Sequence, residues 1–355
     1  MDQFRGYTVA GMFLVNFIGS FVVIPAIFKH HKVYCSYADT IMPQFFFAVG
    51  YAYRLTYLRR REKYGVTAAW RHSISRNLGL LLVGLIMYHL DGGVESWADL
   101  KNLGLSGFLS HSFRSSIFQT LVHIAITSLW ILPVIGASPL VRILFMTVSG
   151  LAHLGLSQMF YYQWALSNGA IDGGPLGFMT WTIPTLVGSL VYDGMVNRGP
   201  RRTLNLAVPW ALVLMVGGYG LSCLTAVRHS LTSGAGSWLA APPFFPPIHP
   251  QDIWTMSQKT GSLSYLVFSA GFSLAVYALF IVLSDLGRFQ LGLFRTLGQN
   301  ALAGYILHGW VKEPISPFVP RDAPLGYVLS AFLVFFLLTW FIMKYLEKRG
   351  LYLRL

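Results

Sequence analysis

Charge is what this chain most lacks. Asp, Glu, Lys and Arg make up 11% of its 355 residues, under half of the roughly 25% found in ordinary soluble domains. A large water-soluble core is therefore excluded. Acids are the scarcer sign, 13 Asp and Glu against 26 Lys and Arg. Cysteine is nearly absent: Cys35 and Cys223 are the whole supply, which leaves one disulfide or two free thiols as the alternatives. Zinc, P-loop, nucleotide-fold and serine-hydrolase signatures are missing as well. So are internal repeats and low-complexity stretches, and no soluble domain is expected within the residues at either end.

What the chain does have is apolar length. It is 54% hydrophobic, and ten stretches approach the roughly 20 residues that a bilayer core requires. They cover residues 7–27, 39–57, 74–90, 116–136, 140–158, 175–196, 204–223, 263–284, 292–311 and 326–346. The opening MDQFRGYTVAGMFLVNFIG places an acid before a run of spanning length, so it is expected to be a retained helix rather than a cleaved leader. With the N-terminus inside, 18 of the 26 Lys and Arg fall on the inner face, including those of RRREK (residues 59–63), NRGPRR (197–202) and the tail EKRGLYLRL. The positive-inside rule then puts both termini in the cytoplasm and accounts for the net charge of +13 without nucleic acid. The expected fold is an all-α polytopic membrane protein: one integral-membrane domain over residues 1–355, a bundle of about ten transmembrane helices. Both cysteines lie on or near its outer side.

The long loops are the outer ones, residues 91–116 and 225–262. The second is proline-rich and is expected as an irregular cover or a flap. Within the spans polar residues are few, and each is costly to bury in hydrocarbon: Asn16, Asp39, Gln119, His123, His153, Asp193, Asn300 and His308. One or two such groups would serve as interhelical glue. Eight spread over most of the helices imply a shared polar interior, either a reaction chamber or a permeation path.

Three constellations carry the chemistry. Asn16 in MFLVNF is a neutral donor suited to a developing oxyanion, and His30 and His31 in FKHH bring imidazoles, the side chains suited to taking or giving a proton. On one straight helix Asn16 and His30 would stand roughly 20 Å apart, so they cooperate only if the chain breaks, as Pro25 permits. Asp39 in ADTIMPQFFFAVG is suited to capping a helix start and to orienting a histidine. In LGQNALAGYILHGW, Asn300 and His308 are spaced to share a helical face, beside small residues that admit close helix contact. A glycine-rich outer turn, IDGGPLGF, adds Asp172.

The ordered set DQFRGYTVAGMFLVN (residues 2–16), FKHH…ADTIMPQFFFAVG (28–50), FQTLVHIAITS (118–128), DGGPLGFMTW (172–181), SLSYLVFSAGF (262–272) and GQNALAGYILH (298–308) resembles the heparan-α-glucosaminide N-acetyltransferase family. The resemblance covers most of the chain but not that family's lumenal N-terminal domain, as in a bacterial-type homologue. The FRG opening is also similar to the wider acyltransferase-3 class, which O-acylates glycans. The resemblance implies a multi-pass enzyme of a bacterial cytoplasmic (inner) membrane. It would move acetyl from cytoplasmic acetyl-CoA, with no metal, to an amine or hydroxyl of an extracytoplasmic sugar or glycan. Asn16 and a histidine, His30 or His31, would do the chemistry, with Asp39 tuning the histidine. Arg5, Arg71 and Arg76 at the inner rim would meet the donor phosphates. Asp172, Asn300 and His308 would meet the acceptor. Small-residue helix faces permit a homodimer, and a small-molecule transporter is the rival reading.

Overall fold

The computed structural model describes residues 1–31, 33–89, 96–112, 117–233 and 237–353. The remaining parts of the 91–116 loop and the last two residues of the basic tail lie outside the described residues. In chain order the α-helices are α1 (Asp2–Ile18), α2 (Tyr37–His89), α3 (Trp97–Ser112), α4 (Thr120–Ile135), α5 (Pro139–Leu156), α6 (Tyr162–Ser167), α7 (Phe178–Ser233), α8 (Leu263–Phe280), α9 (Gly292–Gln299), α10 (Ala301–Ile315) and α11 (Leu325–Lys348). Among the described residues there is no strand. Four helical stretches are long and apolar enough to cross a membrane: Pro139–Ser167, Gly174–Thr232, Leu263–Leu286 and Leu325–Lys348.

Glycine decides where the longest helices turn. Gly65 in α2 (φ 84°, ψ 172°) and Gly199 in α7 (φ 75°, ψ 172°) leave helical geometry for a region that side-chain-bearing residues avoid. The chain folds back on itself at both. A Cβ on Gly194 would lie 3.2 Å from the Thr203 side chain, a pair that a straight helix would hold roughly 13 Å apart. Each long helix is thus an antiparallel pair whose turn carries part of a basic cluster, RRREK or NRGPRR.

Glycine also sets how closely helices approach. Where α2 crosses α7, a Cβ on Gly50 would fall 1.7 Å from Thr185 O and one on Gly188 would fall 1.9 Å from Phe47 O. Backbones touch there, as small residues allow in membrane bundles. The α1–α9 crossing repeats the device, with Gly6 against Phe294 O and Gly298 against Asp2 O. Beside it the Gln3 amide both donates to Leu291 O (3.1 Å) and accepts from Leu291 N (3.0 Å).

Buried charge is neutralised locally. Asp193 of α7 accepts from Arg54 Nε (3.0 Å) and Nη2 (3.2 Å) and from Arg142, while Arg142 Nη1 also donates to Ser189 Oγ (2.7 Å). This cluster ties α2 and α5 to α7.

Three boundaries depart from the hydropathy reading. The first apolar run does not stay helical to residue 27: α1 ends at Ile18, Gly19 and Ser20 open a series of turns, and Val22, Val23 and Ile27 are exposed. Composition cannot distinguish an apolar turn from an apolar helix. The stretch 292–311 is broken at Asn300 (φ −130°, ψ 46°), so Asn300 and His308 do not share one continuous helical face. Residues 97–112 of the first outer loop form α3, bent at Gly104. In the second outer loop, residues 225–233 continue α7 rather than staying irregular, and residues 237–262 are irregular, with Phe244 N bonded to Cys35 O (3.0 Å). Cys35 and Cys223 are both free thiols.

Candidate active site

The end of α1 and the start of α2 build the centre of the site. After Ser20 the chain turns back through a short 3₁₀ segment, Ala26–Phe28, which returns His30 to the level of Asn16. The start of α2 is a capping box: Ser36 Oγ accepts from Asp39 N (3.3 Å) while Asp39 Oδ2 accepts from Ser36 N (2.9 Å). Asp39 therefore sits inside the first turn rather than at the cap itself. His31 N also donates to Oδ2 (3.3 Å), and the fully buried carboxylate keeps its other oxygen for the histidine.

That oxygen, Asp39 Oδ1, lies 2.9 Å from His30 Nδ1, and His30 Nε2 lies 3.4 Å from Asn16 Oδ1. Asn16 Nδ2 in turn lies 3.3 Å from His308 Nε2 of α10, and His308 Nδ1 donates to Tyr305 O (2.5 Å). One hydrogen-bonded chain thus runs Asp39, His30, Asn16, His308. Burial works against a charged His30, but the bond to Asp39 and its negative charge, with Asp172 behind it, hold the imidazole above its ordinary value. His31 is turned elsewhere: its Nε2 donates to Ala26 O (2.8 Å) and its ring stacks on Tyr34 at 4.2 Å. Burial pushes the Cys35 thiol well up, which makes it a poor nucleophile.

Two cavities meet along this chain, and a third adjoins one of them. The middle chamber, about 510 Å³, is lined by Asn16, His30, His31, Gln119 and Asp172 over an apolar floor that includes Met12, Ile41 and Phe45. The inner cavity, about 940 Å³, is lined by Arg5, Arg60, His72 and Arg76. Phe45, Thr120 and Tyr305 border both, so these side chains form the wall between them, with the Tyr305 hydroxyl bonded to that of Tyr88. A lateral cavity of about 690 Å³ reaches Asn16 and His30 from the other side, past His308, Gly309, Lys312 and Glu313. All three volumes fall within the roughly 300–1,000 Å³ of small-molecule sites.

The middle chamber is roofed. Gln258 Nε2 donates to Asp172 Oδ1 (2.6 Å), Gly173 N to Lys259 O (3.1 Å) and Lys259 Nζ to Leu166 O (2.9 Å). These bonds lace the glycine-rich turn to the second outer loop. Burial pushes the Asp172 carboxyl up to about 6, against the Gln258 bond and the nearby His30, while the Asp39 charge pushes the same way as burial.

Asn16, His30, His31, Asp39, Asp172 and His308 are therefore gathered around one centre, and Arg5 and Arg76 line the inner cavity. Arg71 is exposed and does not line it. Asn300 lies at the inner cavity, where its amide donates to Leu351 O (3.0 Å) and accepts from Leu353 N (3.0 Å). It holds the tail and stands apart from the middle chamber. Arg60, His72, Thr120, Gln258 and Tyr305 were missed. Arg60 is in the basic run RRREK, and the others carry no local pattern that sets them apart. No known protein-family model matches this chain, and no curated protein matches it significantly.

Proposed function

We propose that this chain is a transmembrane acyltransferase. It moves an acetyl group from cytoplasmic acetyl-CoA to an amine or hydroxyl of a sugar on the other side of the membrane, as its resemblance to the heparan-α-glucosaminide N-acetyltransferase family implies. In this reading it is a ten-pass bundle with both termini cytoplasmic. The observation that carries the reading is the Asp39–His30–Asn16 chain, with Asn16 and His30 lining both the middle and the lateral cavity while the middle chamber shares a wall with a basic cavity. A transporter needs a path, but not a carboxylate-oriented imidazole beside an amide within it.

The chemistry follows from the groups present. The guanidinium groups of Arg5, Arg60 and Arg76 suit the donor's phosphates, and the apolar floor suits the thioester end. The acceptor's nitrogen or oxygen attacks the thioester carbonyl carbon while its proton passes to His30 Nε2. Asp39 holds Nδ1–H and stabilises the imidazolium that forms. Asn16 Nδ2 has a second hydrogen beyond the one on His308, and this is the donor for the oxyanion, a contribution of about 3 kcal/mol. The C–S bond then breaks, and the thiolate leaves as CoA after taking the proton from His30.

The test is to feed labelled acetyl-CoA and D-glucosamine to sealed vesicles holding the protein and identify the labelled product. Acetylated sugar on the face opposite the donor, lost in His30→Ala, is the expected result. Sugar uptake independent of acetyl-CoA with no label transferred would overturn the proposal in favour of transport.

A further inference from the structure

The polarity of the four-residue chain is fixed from its far end. A backbone carbonyl only accepts, so His308 Nδ1, 2.5 Å from Tyr305 O, carries a hydrogen. A neutral imidazole then presents a bare lone pair at Nε2, and the Lys312 ammonium, one turn along α10 and bonded to Asn16 O (2.8 Å), leaves His308 no reason to take a second proton. Asn16 must therefore point its Nδ2–H at His308 and its Oδ1 at His30. That oxygen also only accepts. Its contact with His30 Nε2 is a bond only when Nε2 carries a hydrogen, while Nδ1 already donates to Asp39.

We propose that His308 is a positioning residue: by locking Asn16 oxygen-first towards His30, it makes resting His30 an imidazolium held between Asp39 and Asn16. The protein then stores one proton at its centre, and His30 becomes a base only after releasing that proton to water in the lateral cavity. Asn16 acquires two roles, accepting from the imidazolium through its oxygen and leaving a single N–H for the acyl oxygen. The raised proton affinity of His30 agrees with this arrangement. The other titratable groups around His30 are Asp172, His31, Lys259 and Tyr305 along the middle chamber and Lys312 and Glu313 along the lateral one. The catalytic use of this polarity rests on the acyltransferase reading; the polarity itself does not.

The experiment uses the full chain with ¹⁵N-labelled histidine in nanodiscs, without substrate, and long-range ¹H–¹⁵N correlation spectra assigned with His30→Gln and His308→Gln. The expected spectra show His308 protonated at Nδ1 and bare at Nε2, and His30 protonated on both nitrogens at about pH 7, above the ordinary histidine midpoint. In His308→Ala the amide is free to turn its N–H towards His30, and the His30 midpoint falls by about one pH unit. A hydrogen on His308 Nε2 in the resting protein, or a His30 midpoint unmoved in a folded His308→Ala, would overturn the proposal. Where that variant does not fold, the wild-type tautomers decide alone. The predicted tautomers without acetyl transfer would sink the acyltransferase reading and leave this one standing.

Discussion

Asp39→Asn should abolish turnover by forcing the wrong histidine tautomer. The carboxylate faces two sides. Oδ2 accepts from Ser36 N (2.9 Å) and His31 N (3.3 Å), and Oδ1 accepts from His30 Nδ1 (2.9 Å). An asparagine has one oxygen, and two backbone N–H groups compete for it against one ring nitrogen. The oxygen settles on the loop side, and the NH₂ group turns to His30. Nδ1 must then accept, the hydrogen moves to Nε2, and the base has no lone pair for the acceptor. The same carboxylate-to-amide change behind a catalytic histidine elsewhere costs about 10⁴ in kcat, which is about 5.5 kcal/mol of barrier. Because the capping bonds survive, the fold should lose no more than about 1.5–3 kcal/mol, the worth of one charge-assisted bond. The assay is single-turnover transfer of labelled acetyl by purified protein, run beside a thermal melt in the same detergent. A folded Asp39→Asn that retains kcat within tenfold of wild type would refute the tautomer reasoning.

Three further outcomes are expected. Gly188→Ala should lower the melting temperature sharply, because its Cβ would sit 1.9 Å from Phe47 O, whereas Gly217→Ala, with open space around it, should not; differential scanning fluorimetry of both variants checks this. Arg60→Ala and Arg76→Ala should each weaken acetyl-CoA binding by about tenfold in a salt-dependent way, while the exposed Arg71→Ala leaves it unchanged, as titration calorimetry at low and high salt would show. Asp172→Asn removes a negative charge that raises His30. Activity that requires unprotonated His30 should then set in at lower pH than in wild type, and the acid limb of the kcat/KM profile reports the shift.

Much of the site was legible because its members belong to short local patterns. A histidine pair before an acid at the head of an apolar run announces a titratable helix start, and a lone amide within a span advertises a polar partner. Two features resisted reading for physical reasons. The fold-back that joins Asn16 to His30 begins at Gly19, in a stretch as apolar as the helix before it, so hydropathy placed the break too late. Asn300 and His308 looked paired by helical periodicity. The chain leaves helical geometry at Asn300, which sends one side chain to the tail and the other to Asn16. Contacts such as Asp172 with Gln258 join distant segments and leave no trace in either local sequence.

The hasp between Gln3 and Leu291, with the glycine contacts beside it, has a consequence for biosynthesis. The helix that carries Gln3 is held by a segment 288 residues further along the chain. α1 cannot take its seat until that segment has been made, and His308 follows later still. A prematurely terminated copy lacks the imidazole that orients Asn16 and the surface that seats α1. A chain cut short before residue 291 thus loses both devices at once.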